Sequence, residues 1–277
     1  MECAICGHTS KELFTGKILG KYTCLYYHCE NCGFINTEKP YWMDEAYSSA
    51  ISNFDIGLVD RNLLYSKEVE RIILDNFCAQ SRFLDFAGGY GLFVRMMRDR
   101  GFDFYRQDKY CQNLFAVNFD VSEEGVVKNG FELLTAFEVF EHLESPIEEL
   151  QCMTKYADNI LFSTELIPNG RITSFKDWWY FVPETGQHIS FYTLKSLQVL
   201  ADRLGLFLYS NGANFHMFTN KKMKKNPFYV APYSLRYRIL PFLCRMVDHL
   251  YMKRKRIHLE SKIQLDFIAM KKLGIQK

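Results

Sequence analysis

Apolar and polar positions along this chain fall into short runs whose period changes from segment to segment. Ser66–Cys78, "SKEVERIILDNFC", repeats its apolar residues at helical spacing. Phe83–Phe86 is a compact apolar run that reads as a buried strand. It leads through "FAGGYG" into Leu92–Gly101, a helix opened by the glycine turn and stopped by Gly101. "FDFYRQD" predicts a second strand, Glu132–Phe137 a third and Asn159–Leu166 a fourth. "TLKSLQVLADRLG" predicts a helix with Thr193 as N-cap and Gly205 as its stop. "LFLYS" and "ANFHMFTN", joined by Asn211-Gly212, predict a closing β-hairpin. Strands alternating with helices imply an α/β fold: a Rossmann-like, doubly wound, mostly parallel sheet with an antiparallel C-terminal hairpin.

Composition divides the chain into three zones. Residues 1–45 are rich in Cys and Gly, residues 46–220 carry the alternating pattern, and residues 221–277 form a basic, helical extension. The extension has a net charge of +12 on a body of −10. A basic tail on an acidic body suggests an anionic partner: a polyphosphate, RNA or the surface of an anionic membrane. A solvated, oligomer-forming helical tail fits the same pattern. The chain has no run of about 18 apolar residues, which excludes a membrane-spanning helix. It opens "MECAICG" without an apolar leader, which sets the expected location in the cytoplasm, peripheral to a membrane if the tail binds one.

Two matched pairs, Cys3-x-x-Cys6-Gly and Cys29-x-x-Cys32-Gly, have the spacing of a zinc ribbon. Four thiolates close the coordination shell, so the ion would be structural. Cys24 and His28 read as ordinary strand or loop residues, and Cys78, Cys111, Cys152 and Cys244 as core thiols.

The glycine turn follows a strand and opens a helix, the context of a nucleotide-type site. Here the pattern is Asp85-Phe86-Ala87-Gly88-Gly89-Tyr90-Gly91. Asp85 would repel phosphate and suits a positively charged group. Asp108 stands at the next strand end, near the offset at which a carboxylate meets ribose hydroxyls. A cationic group and a ribose without phosphate describe S-adenosylmethionine (SAM). The motif resembles motif I of the class I SAM-dependent methyltransferases. "RQDKY" resembles their ribose-binding strand end, and "AFEVFEHLESP" and "HISFYTLKSLQVLADRLG" resemble later segments of one branch. The resemblance covers roughly residues 60 to 220. It implies that Gly88 and its neighbours pack on the methionine moiety near Asp85, that Asp108 bonds the ribose, that Lys109 or Tyr110 flanks the adenine, and that Phe137 and Glu138 lie under the methionine end. Ala87 replaces a usual glycine and fits if its φ stays negative. The stretch from Asp108 to Glu132 is too short for a full third helix and strand.

A zinc module ahead of such a domain resembles sugar- and glycan-modifying methyltransferases, among them C-methyltransferases of nucleotide-linked keto-sugars. Where those have a Glu-His pair this chain has Gln187-His188, which leaves His188 as the base for O-methylation of a sugar hydroxyl. The acceptor is then a small molecule or glycan, nucleotide- or lipid-linked. Glu138, Glu141 and His142 resemble, together with a downstream histidine, a segment that holds a divalent metal in small-RNA 2′-O-methyltransferases and a quinone O-methyltransferase family. That implies Mg²⁺ held with His188; the competing reading has Glu141 and His142 simply start a helix. "DWWYFVPE" reads as an aromatic substrate lid. An RNA 2′-O-methyltransferase, a keto-sugar C-methyltransferase and a non-catalytic SAM-binding scaffold are the alternatives. The acidic body disfavours nucleic acid.

Overall fold

The computed structural model describes residues 1–47, 55–121, 130–228, 250, 253–255 and 259–274. At the N-terminus β1 (Lys11–Ile18), β2 (Tyr22–His28) and β3 (Ile35–Thr37) form an antiparallel sheet. β2 turns Cys24 and Tyr26 inward and its neighbours outward, the period-2 pattern of a half-covered sheet. α1 (Met43–Ala46) and α2 (Leu58–Asn76) lead to the main sheet. α2 begins eight residues before the predicted helix. Its first turns leave Val59, Leu63 and Leu64 exposed, so they carry no apolar stripe for periodicity to detect.

The chain then alternates through β4 (Arg82–Phe86), α3 (Leu92–Asp99), β5 (Asp103–Gln107), β6 (Leu133–Ala136), α4 (Pro146–Thr154) and β7 (Asn159–Ser163). A two-residue strand, β8 (Ser190–Phe191), precedes α5 (Leu194–Arg203) and the hairpin of β9 (Phe207–Ser210) and β10 (Phe215–Thr219). The main sheet runs β5-β4-β6-β7-β10-β9, parallel from β5 to β7, with β10 antiparallel to both its neighbours. Its central strands alternate between two core layers. Phe83, Leu133 and Leu161 enter one, while Leu84, Leu134 and Ile160 enter the other. Both faces are covered, which is why these strands read as continuous apolar runs.

Thr193 caps α5 by accepting the Ser196 N–H, and Gly205 follows it at φ +66, as the sequence predicts. The hairpin loop has four residues rather than two, because Asn211 Oδ1 accepts from the N–H groups of Ala213, Asn214 and Phe215. Where a further edge strand would pair with β5, the described residues form one isolated bridge, Arg106 with Asp120. β8 joins the N-terminal sheet beside β3. Three of the thiols expected in the core are not there: Cys78 is exposed, and Cys111 and Cys152 are half-buried. Each lies outside the strand and helix stripes that face the sheet; Cys244 lies outside the described residues.

Of the basic extension, residues 229–249, 251–252, 256–258 and 275–277 lie outside the described residues, and the reading of the tail as a membrane or polyphosphate contact falls largely on them. α6 (Ile263–Gly274) docks through Asp266, which takes a bidentate bond from Arg98 at 2.9 and 2.8 Å. No helix among the described residues is long and apolar enough to cross a membrane.

Candidate active site

The strand order reverses beside β4: the chain goes to β5 on one side and returns to β6 on the other. A doubly wound sheet opens its crevice at such a reversal, outside the carboxyl ends of the strands. A cleft of about 520 Å³ lies there. One wall is the turn after β4: Asp85, Ala87, Gly88, Gly89 and Tyr90 line it, while Phe86 turns into the core and Gly91 caps α3 at φ +83. The turn needs left-handed backbone at three positions, and one is Ala87, at φ +54. The expectation of a negative φ there is corrected: the methyl group stands where L-residues lose roughly 1–2 kcal/mol.

A buried cation and a carboxylate hold the turn from behind. Arg106, on β5, donates from Nε to Gly89 O at 2.6 Å, from Nη1 to Asp120 at 2.6 Å, and from Nη2 to Cys111 O. Asp108 accepts from Gly89 N at 2.9 Å, Tyr110 N at 2.8 Å and Cys111 N at 2.7 Å. Asp108, Lys109 and Tyr110 do not line the cleft, and Tyr110 is 93% exposed. In this arrangement Asp108 is a brace for the turn. Gly88 sits directly on Asp85, where a Cβ would come within 2.7 Å of Oδ2. Asp85 is buried, and burial raises its pKa to about 7 against the opposing hydrogen bond from Thr135 Oγ1 at 2.6 Å.

Phe137 and Glu138, after β6, form the floor. Glu138 adopts φ +54 with its side chain folded back. Ser163 Oγ accepts its N–H at 2.8 Å and donates to its Oε1 at 2.7 Å, and Tyr65 adds a second donor at 3.0 Å. Arg61 lies 3.7 Å from the same carboxylate and holds Asp55 at 2.9 Å.

The same cleft is lined by two histidines, His142 and His188. His188 Nδ1 lies 2.7 Å from Tyr180 O; a carbonyl only accepts, so Nδ1 carries the proton and Nε2 keeps its lone pair. His142 has the same tautomer, with Nδ1 3.0 Å from Gln187 O. The two rings meet edge to face at 5.0 Å. Burial, and then the neighbouring His142, lower the His188 pKa to about 3, so its imidazole is neutral. Glu141 is fully buried behind them, and neither of its oxygens has a hydrogen-bond partner among the described residues. Burial first and the Glu138 charge second raise its pKa well above the usual carboxylate range. One ligand atom from each of Glu141, His142 and His188 falls within 4.8 Å of the others. Residues 140–142 form a single 3-10 turn; the helix that was expected to open there starts at Pro146, after Ser145. Gln187 lines the cleft, but its Nε2 is engaged with Ala46 O at 2.7 Å. Of the aromatic loop, Trp178, Tyr180 and Phe181 are buried with the N-terminal sheet, while Trp179, 71% exposed, joins Tyr180 and Val182 in lining the cleft.

The four thiols of the N-terminal pairs converge. Cys3 Sγ is 3.6 Å from Cys32 Sγ, Cys6 Sγ is 3.4 Å from Cys29 Sγ, and all four lie within 4.8 Å. Tetrahedral Zn–S bonds of about 2.3 Å place sulfurs about 3.8 Å apart, so the quartet fits the ion. Cys24 is a core thiol in β2, pushed up to about 12 by burial. Sequence reasoning missed Arg61, Tyr65, Ser163, Glu165 and Arg106. Only Arg106 had a usable signal: the alternation in "FDFYRQ" puts it on the same side as Phe104, facing inward.

No curated protein matches the chain. Among solved structures, the calicheamicin-biosynthesis methyltransferase CalO1 with S-adenosylhomocysteine (SAH) bound is similar at 16% identity and TM-score 0.40, over 66% of this chain and 64% of that one. TnmH is similar at 16% identity and TM-score 0.46, over 66% and 62%. The mitomycin 7-O-methyltransferase MmcR gives 11% identity and TM-score 0.39, over 57% and 54%. The chain thus spans less than two thirds of the length of each. Residues 59–211, more than half the chain and most of the residues that line the cleft, match the family model described as a methyltransferase domain, and the chain belongs to that family.

Proposed function

We propose that the protein transfers a methyl group from SAM to a hydroxyl of a small-molecule acceptor, a sugar hydroxyl in glycan or nucleotide-sugar metabolism. One observation carries the reading: the braced glycine turn over Asp85 and the neutral His188 line one cleft. The methionine end of the donor lies along Gly88–Tyr90, and its sulfonium is favoured by the Glu138 carboxylate and by the ionised fraction of Asp85. Asp108 spends one acceptor bond on Gly89 N of the turn and two on Tyr110 N and Cys111 N, and a fourth acceptor position would serve a ribose hydroxyl. His188 Nε2 accepts the hydroxyl proton as the oxygen attacks the methyl carbon and the sulfonium leaves as a thioether.

A second reading concerns the proton. An imidazole with a pKa near 3 is a weak base at neutral pH, whereas a neutral imidazole with a free Nε2 is a good ligand. The partnerless Glu141 carboxyl beside two such histidines favours a divalent cation, Mg²⁺ in the simplest case. Bound there, the ion would lower the pKa of an acceptor hydroxyl.

Calorimetry with SAM and SAH, followed by SAM-consumption screens over hydroxylated sugars and nucleotide-sugars, tests the proposal. On an acceptor so found, His188→Gln is expected to lower turnover by about 10²-fold or more and to leave SAH affinity nearly unchanged. Dependence of the parent's turnover on added Mg²⁺ after chelation selects the cation reading. A chain that fails to bind either nucleoside sinks the assignment, and undiminished turnover in His188→Gln removes His188 from the mechanism.

A further inference from the structure

The segment carrying His188 is bonded more extensively to the N-terminal module than to the sheet whose cleft it lines. Leu19 N donates to Pro183 O at 2.8 Å, Trp42 Nε1 to Gly186 O at 2.8 Å, and Thr37 N to Ile189 O at 3.0 Å. Gln187 Nε2 returns a bond to Ala46 O at 2.7 Å. β8 then pairs with β3, Ile35 opposite Phe191 and Asn36 opposite Ser190. On its other edge the segment grips the 3-10 turn that bears Glu141 and His142. Ile189 N donates to Glu141 O at 2.8 Å, Ser190 Oγ donates to Leu143 O, and Tyr192 Oη donates to Phe140 O at 2.9 Å.

The second cysteine pair anchors this arrangement. Cys32 O accepts from Thr193 Oγ1 at 2.7 Å, two residues beyond β8. Gly33, at φ +79, sits so close to Thr193 that a Cβ would come within 2.8 Å of its methyl group. From Cys32 through Gly33 and β3 the chain therefore runs directly onto residues 189–193. The glycine turn and Asp85 lie on β4 and its successor turn and share none of these bonds.

We propose that the Cys3–Cys6–Cys29–Cys32 zinc site is a positioning device for the acceptor half of the cleft. The inference rests on the thiolate reading of those four residues. Zinc fixes the knuckle, the knuckle fixes β3 and Thr193, and these fix the segment that aims His188 and receives His142 through Gln187 O. The donor turn is held by a separate set of hydrogen bonds, from Arg106 and Asp108.

Hydrogen exchange of the full chain, read by peptide mass spectrometry before and after zinc removal under reducing conditions, tests this without an acceptor. Metal analysis should give one zinc per chain. Removal should raise exchange over residues 183–193 about tenfold or more and leave residues 82–91 within about twofold, with SAH affinity by calorimetry preserved. Restoring zinc should reverse the change. Trp42→Phe, which keeps all four thiols and deletes the bond to Gly186 O, should loosen 183–188 with zinc still bound. Absence of zinc from the purified protein overturns the proposal at its premise. Unchanged protection over 183–193 after chelation makes the site a separate fold staple, and equal opening of 82–91 with loss of SAH binding makes it a general stabiliser; either result overturns the positioning role.

Discussion

Asp85 carries a proton in the folded chain at pH values where the unfolded chain has released it. Its pKa moves from 3.8 to about 7, with burial as the principal cause. For an acid shifted upward, the folded state binds the extra proton between the two values, so stability falls as pH rises from about 4 to about 7 and is level beyond. Asp85→Asn keeps an oxygen for the Thr135 hydroxyl and has nothing to ionise. Across that window the variant should gain on the parent by about 1.4 kcal/mol for each pH unit. Urea unfolding at pH 5, 6, 7 and 8 reads the difference; a gap that does not change with pH would mean that Asp85 is ionised throughout. Ala87 and Glu138, both at φ +54, mark the same cleft as a place where backbone strain is held by neighbouring bonds.

At the scale of elements, α6 shows how a basic extension is tied to an acidic body through a buried acid, alongside the exposed pair of Lys255 with Asp75 at 2.6 Å. Asp266 accepts from Arg98 at 2.9 and 2.8 Å and forms an ion pair with Arg95 Nη2 at 2.9 Å, nearly out of water. Burial alone raises its pKa, but bonds and charge from Arg98 and Arg95 outweigh this and hold it below the usual carboxylate range. Its contribution is therefore present above the unfolded pKa and lost as pH falls through the folded one. Asp266→Ala should cost about 3 kcal/mol in denaturant unfolding and open residues 259–274 to proteolysis, because Arg98 is left buried with Asp103 and the Phe104 carbonyl as its partners. Unaltered protease resistance would show that α6 docks without the pair. Neither Asp266 nor Arg98 could be matched from the sequence. They are 168 positions apart, and charged residues in amphipathic stretches look solvated until the partner is known. The pairing of β8 with β3 was hidden for a similar reason: a two-residue strand has no period. By contrast, the glycine turn, the Thr193 cap and the cysteine quartet were legible, because φ > 0, capping and metal geometry each demand particular residues at fixed spacing.

Taken as one molecule, the chain does not divide at residue 45 into a module and a core. Cys3, Ile5, Cys29, Cys32 and Phe34 share a buried cluster with Leu84, Leu134, Phe162 and Phe218, and Tyr26, Ile35 and Trp42 share another with Trp178, Phe181 and Phe191. A chain of residues 46–277 would put Trp178, Phe181, Ile189, Phe191 and Tyr192 into water and leave β8 without its partner. Each such side chain contributes about 1.5–3 kcal/mol when fully buried. Exposing five even by half removes on the order of 5 kcal/mol, as much as the whole stability of many domains. The shortened chain is therefore expected to lose its cooperative thermal transition and to aggregate, in contrast to the proposed zinc removal, which leaves the N-terminal sheet in the chain and loosens the knuckle and residues 183–193. Circular dichroism melts of the full and shortened chains decide it. A cooperative transition of residues 46–277 near the parent's midpoint would mean that the methyltransferase core is self-sufficient and that its contacts with the N-terminal sheet add little to its stability.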